Sequence, residues 1–194
     1  APTFIVQKDT EASTSWRVFA YDGSTWKIAN LNNTDALTSA TETAPTSSLF
    51  YANGNGNAAN TQIAYLWHDV PGLQKFGSYV ANGAADGTFV ELGFRPALVW
   101  IKSESFTNSY TNWDINDSVR DTSNPADTTL AANLNDNENS GNIGTQKIDF
   151  LSNGFKIRQE PTSSSKNTDG ETYIYCAWAE APSVDLFGGG ANAR

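Results

Sequence analysis

The chain is short of the residues that most often carry chemistry. Its 194 residues include one cysteine, one histidine and no methionine. A single cysteine allows no internal disulfide, and Cys176, set in an apolar run, reads as a small buried hydrophobe. One cysteine and one histidine cannot build a zinc site. A Ser–His–Asp or Cys–His mechanism would have to use His68, which lies in the strand-like "YLWHDV" with no nucleophile elbow nearby. "GNGN" and "FGGG" lack the lysine and the strand–helix setting of a phosphate loop. No glutamate is followed two residues later by aspartate, the one-strand pairing of sandwich glucanases, so the two carboxylates of a glycosidase are not suggested. No catalysis is expected. Basic residues are also scarce: 12 Lys and Arg against 21 Asp and Glu leave a net charge of −9. Nucleic acid and anionic membrane both demand clustered Lys and Arg, so neither is an expected partner. No run approaches the ~20 apolar residues of a membrane helix. The longest, "ALVWI" at 97–101, fits a buried strand. The missing methionine predicts processing or a piece of a longer polypeptide.

What is present favours strands. Apolar residues make up 39% and aromatic residues 12%, enough to offset chain entropy by burial. Abundant Asn, Thr, Ser and Gly supply turns between short strands. Two phrases are written twice. "QIAYLWHDVP" at 62–71 matches "YIYCAWAEAP" at 173–182, through Ile63 and Ile174, Trp67 and Trp178, Asp69 and Glu180, Pro71 and Pro182. "PTFIVQK" at 2–8 matches "PALVWIK" at 96–102. Between them "TSWRVF" at 14–19 answers "TNWDIN" at 111–116, pairing Trp16 with Trp113, and Phe50 answers Phe155. The order is kept while the spacing widens, so the second copy carries insertions. The expected fold is an all-β antiparallel β-sandwich, jelly-roll or concanavalin-like, built from two pseudo-symmetric repeats. The single domain divides into repeat one (1–71), a connecting hairpin (72–94), repeat two (95–182) and a tail (183–194). "SNG" at 152–154 reads as a hairpin turn with Gly154 free to take positive φ. "PADTTLAAN" at 125–133 is the one stretch suited to a turn or two of helix, opened by Pro125.

Candidate binding residues are few. "DINDSVRD" at 114–121 and "NDNEN" at 135–139 crowd oxygen atoms into loops, so structural calcium is the one metal they allow. Neither has EF-hand spacing, and Asx-rich loops ordinarily bond their own backbone, so no cofactor is expected. Trp16, Trp67, Trp113 and Trp178 recur at matched positions and are assigned to the core. Trp26 and Trp100 lack an aromatic counterpart, and Trp26 follows the turn "YDGST". A ligand would therefore meet Trp26, Trp100, Asp114, Asp117, Arg120 and Asp121, where the copies differ.

One stretch is specific enough to suggest a family. "KFGSYVANGAADGTFVELGFRPALVWIK" at 75–102 resembles a recurrent signature of tailed-phage appendage proteins, above all those of marine phages. "DSVRD" at 117–121, "IDFLSNGFKIR" at 148–158, "TYIYCAWAEAP" at 172–182 and the closing "ANAR" are similar to further elements of that family. The resemblance covers nearly the whole chain and is strongest over 75–102 and 148–182. It implies a concanavalin-like sandwich serving as a tail fibre or other virion domain, extracellular, with no catalytic residues attached. It also implies a homo-oligomer, commonly a trimer, with other virion proteins and a host-surface glycan as partners. A free carbohydrate-binding lectin-like module is the alternative, and a glycan depolymerase the third.

Overall fold

A computed structural model describes residues 1–50, 59–105, 111–139, 147–159 and 166–181. Pro182, the tail and "GNGN" lie outside the described residues. The strands, in chain order, are β1 (Phe4–Asp9), β2 (Arg17–Tyr21), β3 (Trp26–Asn30), β4 (Thr38–Ser39), β5 (Gln62–Trp67), β6 (Gln74–Val80) and β7 (Phe89–Glu91). They continue as β8 (Pro96–Ser103), β9 (Asp114–Asp117), β10 (Leu130–Ala131), β11 (Ile148–Leu151), β12 (Gly154–Ile157) and β13 (Thr172–Ala179). All pairings are antiparallel, and no helix occurs among the described residues.

The strands form an antiparallel β-sandwich of three sheets. The first runs β4-β3-β2-β1-β5, the middle one β10-β9-β8-β13-β6, and a small one β11-β12-β7. Alternation along β13 shows why the middle sheet needs cover on both sides. Ile174 and Cys176 join Phe4, Val6, Val18 and Ala20 of the first sheet in one core, with Trp178 packed at its border. Tyr173, Tyr175 and Ala177 join Phe150, Phe155 and Ile157 of the small sheet in another. The outer face of the first sheet is apolar too: Ile5, Phe19 and Ile28 pack with Trp26, Ala40 and Phe50. Burial of this kind stabilises by roughly 25 cal/mol per Å² of apolar surface, so each sheet face needs a covering layer.

The strands that carry the matched phrases hold matching places. The order β3-β2-β1-β5 in the first sheet parallels β10-β9-β8-β13 in the middle one. Trp67 on β5 and Trp178 on β13 meet across the interface at 6.4 Å. The matched phenylalanines differ, since Phe155 is on β12 and Phe50 lies in an irregular segment.

Three expectations are corrected. The 72–94 stretch is no hairpin: β6 pairs with β13 and β7 with β12, so its two strands enter different layers. The connection over 81–88 is long enough to cross between sheets, where a two-residue turn would have held its strands together. Gly154 does not need positive φ. It needs no side chain, because a Cβ there would sit 2.1 Å from the Val90 carbonyl oxygen on β7. The 125–133 stretch forms no helix. Ala126 bridges to Ile148, and Leu130–Ala131 pair with β9, so tertiary pairing overrides a weak local preference.

Candidate functional site, an aromatic cleft between two sheets

The first and middle sheets splay apart where β1 and β5 face β8. Inward alternation on β1 and β5 sets Val6 opposite Tyr65 and Phe4 opposite Trp67 on one face. Trp16, just before β2, and Leu31, just after β3, are joined by a backbone hydrogen bond of 2.7 Å from Leu31 N to Trp16 O. Trp100 on β8 and Ala132 beyond β10 close the far side. The result is an open cleft of about 510 Å³, within the range of small-ligand sites. Its walls hold three tryptophans, Trp16, Trp67 and Trp100, together with Tyr65 and Asn32. No charged side chain lines it among the described residues.

The rings are fixed by their neighbours. Tyr65 and Trp67 stack at 6.2 Å with planes 24° apart, a two-ring platform along β5. Trp67 packs against Phe4 at 5.7 Å, and Trp178 stands edge-on to both Trp67 and Trp100. Trp16 is 37% and Tyr65 45% exposed, so two of the four rings are open to solvent. The Trp100 indole Nε1–H is buried, with no acceptor within reach among the described residues. An orphan donor of that kind costs about 1–3 kcal/mol. Asn32 Oδ1 accepts from the Trp16 backbone N–H at 3.0 Å, which pins the mouth of the cleft.

Of the residues singled out in the sequence, only Trp100 belongs to this cleft. Trp26 sits on the opposite face of the first sheet, tilted against Tyr21 at 5.9 Å. It borders a hollow of about 10 Å³ closed by Ala40, Pro45 and Phe50, with space for about one water. The 114–121 stretch is not a loop throughout, because Asp114–Asp117 is strand β9. Asp114 is 1% exposed and faces Lys166, whose Nζ lies 3.0 Å from its Oδ2. It is therefore removed from any surface patch. Burial pushes the Asp114 carboxyl up to about 6, against the pull of Lys166 and Lys102. Burial also brings the Lys102 ammonium down to about 7, with Lys166 adding to the shift and Asp114 opposing it. Lys102 Nζ donates to the Ser103 and Thr34 carbonyls at 3.3 and 3.4 Å.

Asp117, Arg120 and Asp121 serve their own loop. Asp117 Oδ1 accepts from the backbone N–H of Val119 and of Arg120 at 3.0 and 2.8 Å, and its Oδ2 pairs with the Arg120 guanidinium. Arg120 reaches Glu138 at 2.7 Å, and Asp121 Oδ2 accepts from Asp127 N at 2.7 Å. Burial alone would raise the Asp117 carboxyl; the Arg120 hydrogen bonds and charge hold it below its ordinary value. No group of three His, Cys, Asp or Glu side chains is arranged for a metal among the described residues. His68 is exposed, with Nδ1 donating to the Asp69 carbonyl at 2.7 Å. The Cys176 thiol is buried and pushed well up by that burial.

The matched tryptophans Trp16 and Trp67 were expected in the core; Trp67 packs at the border of that core while also lining the cleft, and Trp16, outside it, lines the cleft mouth. Trp113 is the member of that set that is fully enclosed, its Nε1–H donating to the Asn30 carbonyl at 3.1 Å. A usable signal lay in Ile63, Tyr65 and Trp67, three large side chains on one face of a strand. Only its edge position decides that they are half open.

Fold and cleft together define a layered all-β domain with an uncharged aromatic cleft between two of its sheets. The chain belongs to the DUF7483 family, a domain of unknown function, which it matches over residues 1–182. Neither a curated protein nor a solved structure matches it.

Proposed function

We propose that this chain is a non-catalytic domain of a tailed-phage virion, part of a tail fibre or other appendage, extracellular, and engaged in attachment to the host surface. The observation that carries the reading is the resemblance over 75–102. That stretch builds β6, β7 and β8, which contribute to both the middle and the small sheet, so the likeness lies in the framework of the fold. The buried thiol of Cys176, pushed up by burial, is the opposite of an activated nucleophile. The same reading makes the first and middle sheets diverged copies of one unit. It makes the chain a homo-oligomer, a trimer by the resemblance, docked to other virion proteins. Mass spectrometry of particles purified from the phage that encodes the chain tests it. The chain is expected among the virion proteins, and its absence from intact particles overturns the reading.

A second reading, a carbohydrate-binding lectin-like module, is favoured by the aromatic cleft. The two are compatible, since an attachment domain gains from a weak sugar site repeated in an oligomer.

A further inference from the structure

We propose that Lys166 and Asp114 close an internal amide cross-link, Lys166 Nζ to Asp114 Cγ, which staples β9 to the segment leading into β13. The proposal goes beyond the virion and binding-module readings and depends on neither. Three observations carry it. The first is contact away from water. Lys166 Nζ lies 3.0 Å from Asp114 Oδ2, and each side chain is 1% exposed. The second is that both partners are held from their own backbones. Asp114 pairs with Ile101 on β8 and with Ala131 on β10. The Lys166 carbonyl accepts from the buried Tyr79 hydroxyl at 2.9 Å, and the next residue, Asn167, donates from its amide nitrogen to the Gln159 carbonyl at 2.8 Å. Two reacting groups fixed in contact react as one molecule, with the entropy of approach already lost in folding. The third is a carboxylate poorly served as an ion. Asp114 Oδ1 accepts from no donor among the described residues. A buried ion pair is stabilised only when its remaining lone pairs are satisfied as well. Burial raises the Asp114 carboxyl to about 6, which brings its neutral acid form within reach near neutral pH.

The step is a condensation that balances without a co-reactant. A proton passes from the Lys166 ammonium to the carboxylate, leaving an amine and a carboxylic acid in contact. The amine lone pair attacks Cγ. The C–N bond forms as the C=O electron pair moves onto oxygen. The tetrahedral centre then re-forms its C=O and breaks one C–O bond. The departing hydroxyl takes a proton from the nitrogen and leaves as water. Nothing is oxidised or reduced, and two buried charges are replaced by a neutral amide. The titration of Asp114 belongs to the unreacted pair and ends with the bond. Lys102, held at the Ser103 and Thr34 carbonyls, is not consumed. The chain has one cysteine and so no internal disulfide. An amide between residues far apart in sequence restrains the unfolded chain as a disulfide would.

Intact-mass spectrometry of the purified full chain, incubated at neutral pH, tests the cross-link. The chain is expected one water lighter than its sequence mass. A protease digest should yield one branched peptide that joins the Asp114 and Lys166 segments. Asp114→Ala and Lys166→Met, each checked for fold by circular dichroism, should keep their full sequence mass. The unsubstituted chain decides the matter even where a variant fails to fold. Full mass throughout the incubation overturns the proposal. So does a water loss mapped to Lys102, or to a succinimide at an Asp–Gly pair such as Asp86–Gly87. A succinimide reopens in mild alkali with return of the full mass, whereas the cross-link persists. Either result leaves the presence of the chain in virions to its own test.

Discussion

Gly154 shows how a residue can be placed correctly and explained wrongly. Its turn was legible from "SNG", but the reason for glycine was not. The close approach of β12 to the Val90 carbonyl exists only once β7 is in the small sheet. Gly154→Ala must push two backbones apart, and we expect it to cost about 2–4 kcal/mol, read as a lower urea midpoint. An unchanged midpoint would mean that β7 does not pair there. Lys102 is a second case. In "PALVWIK" it looks like a strand-end lysine with a solvated head, yet it is wholly buried beside Asp114 and Lys166. Its folded pKa near 7 lies below the ordinary 10.5. Across pH 7 to 9 the unfolded chain therefore binds a proton that the folded chain does not. Stability from this group is present at high pH and lost as pH falls through about 7. Thermal melts should show stability rising by up to about 2 kcal/mol over that window, and Lys102→Met should flatten the rise. Asp114 works in the other sense: with its folded pKa raised to about 6, its contribution is complete below 3.8 and lost as pH rises through 6.

Strands β5 and β13 carry nearly the same pattern and meet different fates. Both alternate large apolar side chains, and both are apolar on the opposite face as well. β13 has a neighbour on each side and a sheet over each face, so five of its eight residues are buried. Among the described residues β5 pairs only with β1, and Ile63, Tyr65 and Leu66 remain 40–45% exposed. Periodicity reports which residues share a face; it does not report how many neighbours a strand acquires, which non-local pairing decides. That is why the alternation shared by the two phrases was legible as strands while the half-open tryptophans were not. The free edge of β5 also lacks the charges and prolines by which natural edges discourage pairing. On the proposed assembly, this edge is where a second copy adds. Leu66→Lys, on an exposed position, is expected to shift sedimentation toward the monomer with the melting temperature little changed. An unaltered sedimentation profile would remove β5 from the contact.

At the scale of the molecule, three stacked layers explain the composition. A chain this rich in aromatics needs several sheet faces to bury them, and the middle sheet supplies two. The all-β class, the antiparallel pairing and the central place of the closing strand followed from alternation and turn residues. The third layer and the cleft did not, because both depend on which sheet β6 and β7 join. The acidity of the chain sits outside the cleft, which leaves the cleft's own chemistry neutral. The central claim is that this domain stands on the outside of a phage particle and binds there. Immunogold electron microscopy of intact particles with antibodies raised against the chain tests it most directly. The account predicts gold at the tail appendages, at symmetric positions on each particle. Label on free protein alone, with bare particles, would contradict it.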